Sequence, residues 1–208
     1  MFAIVESGSI TSMPKGNKSF RLGDTQYPAS VFTLWTESER NAIGLYTVEI
    51  DNTNFKSQEW YYNTNITYAF GSGKVTGSYG TATAKAHADT LWTEQDKTDN
   101  KIPDDKDVGD VAVEGLKTKL IRTVKKQAES ILNQTDWYIT RKAEEDTAIP
   151  SEITNHRKAV RTKQASMCTA ITNASDTPAL ETLYTYVNTA DEGEPVVIER
   201  PLGELPTL

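Results

Sequence analysis

Thr36-Glu37-Ser38-Glu39-Arg40-Asn41-Ala42-Ile43-Gly44-Leu45-Tyr46-Thr47-Val48-Glu49-Ile50 carries both backbone periods in one short stretch. Thr36 and Glu39 have the spacing of a capping box, in which the hydroxyl accepts from the Glu39 N–H while the carboxylate reaches back to the Thr36 N–H. Gly44 supplies the left-handed residue that stops the helix. Leu45 to Ile50 then alternates as a half-buried strand does. A helix that ends on a glycine and runs directly into a strand predicts an α+β module.

Upstream, Phe2-Ala3-Ile4-Val5 reads as a short strand, and Pro14-Lys15-Gly16-Asn17 as a turn. A second strand is expected over Ser19 to Leu22. Pro28 can open a helix because its missing N–H would be unpaired there, and Val31, Leu34 and Trp35 would share its inner face. Downstream, the aromatic and Thr-rich runs from Gln58 to Thr83, broken by Gly71-Ser72-Gly73, read as a long β-hairpin. Residues 94–107 hold one apolar side chain, Ile102, among mostly acidic charge, and are expected to be a linker.

Beyond the acidic stretch the period changes. Asp107 can cap a long helix with an apolar row of Val113, Leu116, Leu120, Val124, Ala128 and Ile131. A second helix is expected to start near Asp136 and break before Pro150. A third begins at Pro150, with Ile153, Val160, Met167 and Ile171 as its stripe, and would lie antiparallel on the first. A fourth starts at Thr177-Pro178 and runs through Leu180, Leu183, Tyr184 and Val187. The expected organisation is an N-terminal α+β module with a β-hairpin over 1–93 and an acidic linker over 94–107. A helical hairpin or bundle over 108–188 and an extended tail over 189–208 complete it.

The chain has 208 residues and a formal charge of −7, with 37% hydrophobic residues where about 45–50% is usual. Its net negative charge disfavours nucleic acid or an anionic membrane as partner, since both attract cationic faces. No apolar run approaches the roughly 20 residues of a membrane span, and Met1 to Glu6 meets an acid before any leader-like run, so neither membrane insertion nor export is expected.

Chemistry-bearing patterns are sparse. Cys168, His87 and His156 have no metal-ligand spacing. Gly71-Ser72-Gly73-Lys74 lacks the Ser/Thr and the strand–loop–helix setting of a phosphate loop. No serine sits in a nucleophile elbow. Glu144-Glu145-Asp146 reads as a solvated helix end. No catalytic residue, metal site or cofactor is expected, and the chain is not expected to be an enzyme. Trp60-Tyr61-Tyr62 is the one aromatic run suited to a ligand or partner, or equally to a hairpin core or oligomer seam.

Two stretches resemble tailed-bacteriophage proteins. Arg21-Leu22-Gly23-Asp24, Tyr27-Pro28-Ala29-Ser30 and Glu39-Arg40-Asn41-Ala42-Ile43-Gly44-Leu45 look like the N-terminal module of phage tail proteins. Ile131-Leu132-Asn133-Gln134-Thr135-Asp136-Trp137-Tyr138, Arg141-Lys142-Ala143-Glu144, Ile149-Pro150 and His156-Arg157-Lys158-Ala159-Val160-Arg161 are similar to the tail assembly chaperone family. That family's pattern is a leucine pair before Thr/Ser-Asp-Trp, then an aromatic-Tyr-Arg-x-x-Leu-Arg helix. Here His156 replaces an aromatic, Val160 replaces the leucine, and residues are inserted after Trp137.

The resemblance implies a structural component of a phage tail, in a fibre or the baseplate. Such a protein is made in the host bacterial cytoplasm, resides in the virion tail and binds other tail proteins. A homo-oligomer is expected, a trimer being the form that suits a fibre. Two further roles fit: a transient tail or tail-fibre assembly chaperone, and a receptor-binding adhesin using Trp60 and Tyr62. Asp136 would cap the second helix, Trp137 would fill the corner between helices, and Arg157 and Arg161 would pair with acids on a neighbouring helix. Arg141 joins them as a candidate interface residue.

Overall fold

The computed structural model describes residues 1–16 and 18–208, so Asn17 of the expected turn lies outside the described residues. The protein is α+β and divides into two compact units, Met1–Thr83 and Ala84–Leu208.

The first unit contains β1 (Phe2–Glu6), β2 (Ser9–Ser12), β3 (Phe20–Leu22), β4 (Thr25–Tyr27), α1 (Val31–Leu34), α2 (Glu37–Ala42), β5 (Leu45–Asp51), β6 (Tyr61–Tyr62), β7 (Ile66–Gly71) and β8 (Lys74–Tyr79). Five strands form a sheet in the order β2-β1-β5-β8-β7. All its pairs are antiparallel except β5 with β8, and the edge strands β2 and β7 approach each other, so the sheet curls toward a barrel.

Strand β1 is buried on both faces, and its period of two divides the core. Ala3 and Val5 join Val48 and Val75 inside the curl, with Tyr46, Tyr68 and Phe70 against them. Ile4 joins Phe20, Val31, Phe32 and Leu45 on the other face, with Phe2, Tyr27 and Trp35 packed around it. Rings of Phe2, Phe20 and Phe32 lie 4.8–5.1 Å apart in tilted pairs. Leu34, expected on this face, is 79% exposed: α1 is a single turn, and it is Phe32 that points inward with Val31.

The capping box forms as expected. Thr36 N–H donates to Glu39 Oε2 at 2.8 Å and Glu39 N–H returns to Thr36 Oγ1 at 3.3 Å. Gly44 has φ +81°, and its N–H and C=O close the helix and bond β1. The hairpin joins β7 to β8 through Ser72 and Gly73, both at positive φ, the twist-matched geometry for two-residue turns. It is shorter than the expected span, since Trp60 to Tyr62 precedes it.

A two-residue strand, β9 (Thr83–Ala84), stands at the division. The second unit contains β10 (Thr90–Leu91), α3 (Glu94–Thr98), β11 (Val111–Val113), α4 (Leu116–Asn133), α5 (Asp136–Glu145), α6 (Ser151–Asn173), α7 (Thr177–Tyr184), β12 (Val187–Asn188) and β13 (Ile198–Glu199). Helix α4 buries Val124 and Ala128, and α6 buries Ile153, Arg157, Val160, Met167 and Ile171. Lys117 near the start of α4 donates to Thr172 O near the end of α6 at 2.8 Å, while Arg157 near the start of α6 reaches the end of α4. The two helices therefore run antiparallel, as expected.

Three expectations are corrected. The acidic segment 94–107 lies inside the second unit, held by polar bonds that need no apolar packing. A Thr93–Asp96 capping box opens α3, and Trp92 and Gly109–Asp110 exchange backbone bonds of 2.9 Å around the loop. Asp107 is not the N-cap of α4; the helix begins later, its N-cap is Gly115, and Asp89 accepts the Gly115 N–H from outside the helix. The tail beyond 188 folds back: β12 pairs with β13, and buried Leu202 donates its N–H to Leu183 O at 3.0 Å.

The start of α4 shows how its unpaired N–H groups are met. Asp89 accepts from Gly115 N–H and Thr118 Oγ1, both at 2.7 Å, while Leu116 and Lys117 N–H groups bond Ala86 O and His87 O. Gly115 is required because a Cβ there would collide with the Ala88 carbonyl. The same strap reaches α7, where the buried Thr177 hydroxyl donates to Lys85 O at 2.6 Å.

Two outcomes are expected. Gly44→Ala forces a Cβ to 2.7 Å from Val5 O at positive φ, and should lower stability in urea titration by about 1–3 kcal/mol. Asp89 is held below the usual carboxylate range by the Thr118 hydroxyl first and the Gly115 N–H second. A depressed folded value contributes stability above the unfolded pKa of about 3.9 that is lost as pH falls through the folded value. The urea midpoint should therefore be steady near neutrality and drop below about pH 4, and Asp89→Asn should lower it at pH 7 and flatten part of the acid dependence.

Candidate functional site

The residues carrying the C-terminal resemblance meet at the corner where α4, α5 and α6 join. Arg157 arises on the apolar row of α6, four residues after Ile153 and three before Val160, so its guanidinium is carried inward at 5% exposure. Burying a cation costs several kcal/mol unless partners replace its water. Here Nη1 donates to Leu132 O at 2.8 Å and to Thr135 Oγ1 at 2.7 Å, and Nη2 lies 2.8 Å from Asp136 Oδ1. One side chain thus reaches a last-turn carbonyl of α4 and an acid at the start of α5, where the dipole of each helix favours that sign of charge.

Thr135, also buried, donates its hydroxyl and N–H to Leu132 O, each at 3.0 Å, which tightens the turn. The Asn133 amide lies 3.0 Å from Asp136 Oδ2 and 3.2 Å from Glu129 O, two acceptors that its nitrogen would satisfy if turned toward them. His156 is half-buried beside Arg157 and its Nε2 has no partner among the described residues.

Trp137 does not fill the corner. It is 51% exposed and lies against Tyr138, ring centroids 3.8 Å apart, with the Arg141 guanidinium 4.6 Å from the Trp137 ring and 5.3 Å from Tyr138. The small Thr135 and the Arg157 head occupy the space instead. Ile139 is exposed on the same helix. The structure therefore joins Asp136 to Arg157 and Trp137 to Arg141. Arg161, exposed on α6, makes no ion pair among the described residues.

In the first unit, Trp60 is 4% exposed and Tyr61 is buried beneath the Lys56 ammonium, 4.5 Å from its ring. Tyr62 is 65% exposed. The pair expected to face a receptor is split, because consecutive Trp60 and Tyr61 both turn inward where the chain bends into β6. Asn63 clamps this bend by accepting from Lys56 N–H at 2.9 Å and donating to Lys56 O at 2.7 Å.

Thr135 and Leu132 O were missed as partners, although the position of Arg157 within an otherwise apolar row signals a buried cation in need of acceptors. Among the described residues no group of three His, Cys, Asp or Glu side chains gathers at metal-binding distance, and no helix is long and apolar enough to cross a membrane. An exposed Trp137 against half-buried Tyr138 and Arg141, on a helix whose first residue pairs with the buried Arg157, presents the residue types that supply much of the energy in protein interfaces. No protein family, characterised protein or solved structure matches this chain.

Arg157→Ala leaves Leu132 O, Thr135 and Asp136 without their shared donor and should cost about 3 kcal/mol. Asp136→Asn should cost less, and a double-mutant cycle in urea should return a coupling energy above about 0.5 kcal/mol. Arg161→Ala should leave the midpoint unchanged.

Proposed function

We propose that the chain is a structural component of a bacteriophage tail, in the fibre or at the baseplate, and acts through protein contacts. The observation that supports this reading is the corner itself. The residues similar to the tail assembly chaperone pattern, Leu132, Thr135, Asp136 and Arg157, form one bonded unit, and Trp137 stands exposed beside it with half-buried Arg141 against its ring. The residues similar to phage tail N-terminal modules form the capped helix and Gly44 turn that close the β1–β5 core. The partners in this reading are other tail proteins.

The exposed Trp137 and Ile139 also favour a second reading, a transient tail or tail-fibre assembly chaperone, since apolar side chains presented on a short helix suit reversible cover of an unassembled partner.

Quantitative mass spectrometry of purified particles of the encoding phage, scaled to the major tail protein, tests the proposal. A small, fixed copy number per particle is the expected result. Absence from particles, with the chain present in infected-cell lysate beside fibre precursors, would overturn it in favour of the chaperone.

A further inference from the structure

Helix α4 carries a strongly segregated charge. Lys119, Arg122 and Lys126 recur at three and four residues, with Lys125 beside them, on the side opposite the buried Val124 and Ala128. All four are exposed, and the one acid within the helix is Glu129. Arg122 pairs with Glu114, whereas Lys119, Lys125 and Lys126 have no ion-pair partner among the described residues. In a chain of net charge −7 this row is a local reversal of sign.

We propose that this face of α4 docks the loop 94–110 of a second copy of the chain. The loop offers Asp104, Asp105 and Asp107 exposed and without an ion pair among the described residues, while its Lys101 is taken up by Asp96 and Asp99. It is concave: a cleft of about 310 Å³ has Ile102, Pro103 and Val108 in its wall beside Asp104 and Asp107, with Lys97 and Lys106 also lining it. The segment as a whole stays acidic, seven Asp and Glu against three Lys over 94–110. Lysine and arginine fit such a surface, with the methylene stem against apolar wall and the charged head at the carboxylates. Opposite charge therefore meets opposite charge, and long stems meet a groove with an apolar lining.

Single exposed ion pairs contribute about 0–1 kcal/mol each, so the contact depends on the row acting together and weakens with salt. A nucleic acid would also be drawn to the lysines, but the acidic loop belongs to the same unit and the chain as a whole repels a long polyanion. A second copy supplies a compact acidic surface instead. The two faces differ, so the contact is head-to-tail and builds rings or open chains rather than a two-fold dimer. It requires no phage partner, and fails or holds separately from the tail reading.

Sedimentation velocity of the full-length protein at about 50 mM and about 500 mM salt tests this, with the charge-neutralised variants Lys119→Gln/Lys125→Gln/Lys126→Gln and Asp104→Asn/Asp105→Asn/Asp107→Asn. Circular dichroism checks that each stays folded. The wild type should associate with rising concentration at low salt and dissociate at high salt. Each variant should associate at least about tenfold more weakly. A 1:1 mixture of the two should stop at a dimer, because only one intact face remains on each. A wild type monomeric at both salts, association unchanged in both variants, or a mixture that stays monomeric would overturn the proposal. So would lysine variants that lose only binding to an added DNA duplex.

Discussion

The buried guanidinium of Arg157 sets the geometry of the helical unit. A charge taken out of water demands acceptors at defined distances, and Arg157 finds three on a single turn of chain: the Leu132 carbonyl, the Thr135 hydroxyl and the Asp136 carboxylate. Apolar burial between α4 and α6 carries no direction of its own, Val124, Ala128, Val160 and Met167 being buried without polar atoms to fix their register. A fork of donors does not. It sets where α4 ends, where α5 begins and how far along both α6 lies, while Lys117 and the Asp89 strap hold the opposite end.

The first unit meets a different constraint, a shortage of apolar side chains. With 37% hydrophobic residues, a sheet with one wet face would bury too little to offset chain entropy. Strand β1 resolves this by facing two cores at once. Ala3 and Val5 serve the curled interior, and Ile4 with Phe2 serves the face covered by α1 and the β3–β4 hairpin. Strand β5 follows in register, Leu45 beside Ile4 and Tyr46 beside Ala3, so the division continues across the sheet. Gly44 must then pass within contact of the Val5 carbonyl, which is why its lack of a side chain matters twice, for conformation and for space.

Local chemistry was legible in the sequence, and placement across distance was not. The Thr36–Glu39 box, the Gly44 stop, the Ser72-Gly73 turn and the Ile153–Ile171 stripe are decided by neighbours within a few residues, and each forms as expected. Asp107 caps nothing at α4 because the N-cap there is Gly115, which offers no side-chain signal, and the carboxylate that accepts its N–H, Asp89, approaches from far along the chain. Residues 94–107 read as a linker because they offer almost no apolar side chains, whereas Thr93, Asp96, Asp99 and Lys101 tie the segment together with hydrogen bonds and ion pairs. At the corner, charge and helix spacing give Arg157 an acid on a neighbouring helix without naming it. That the acid is Asp136, expected instead to cap α5 where Thr135 stands as N-cap, and that Trp137 is exposed, were not legible, since hydrophobicity ranks Trp inside and Arg outside.

That inversion has a physical consequence. A leucine or methionine at position 157 would fill similar space without desolvating a charge, and such replacements of buried ion pairs are often neutral or stabilising in other proteins. What they cannot do is aim α5. With Arg157 bonded to Thr135 and Asp136, the first turn of α5 leaves the corner in one direction, and Trp137 is held outward against half-buried Tyr138 with Arg141 across their rings. An apolar corner would gain by drawing Trp137 in, removing a large side chain from water and taking the helix face with it. The buried cation occupies that space, and the aromatic stays on the surface.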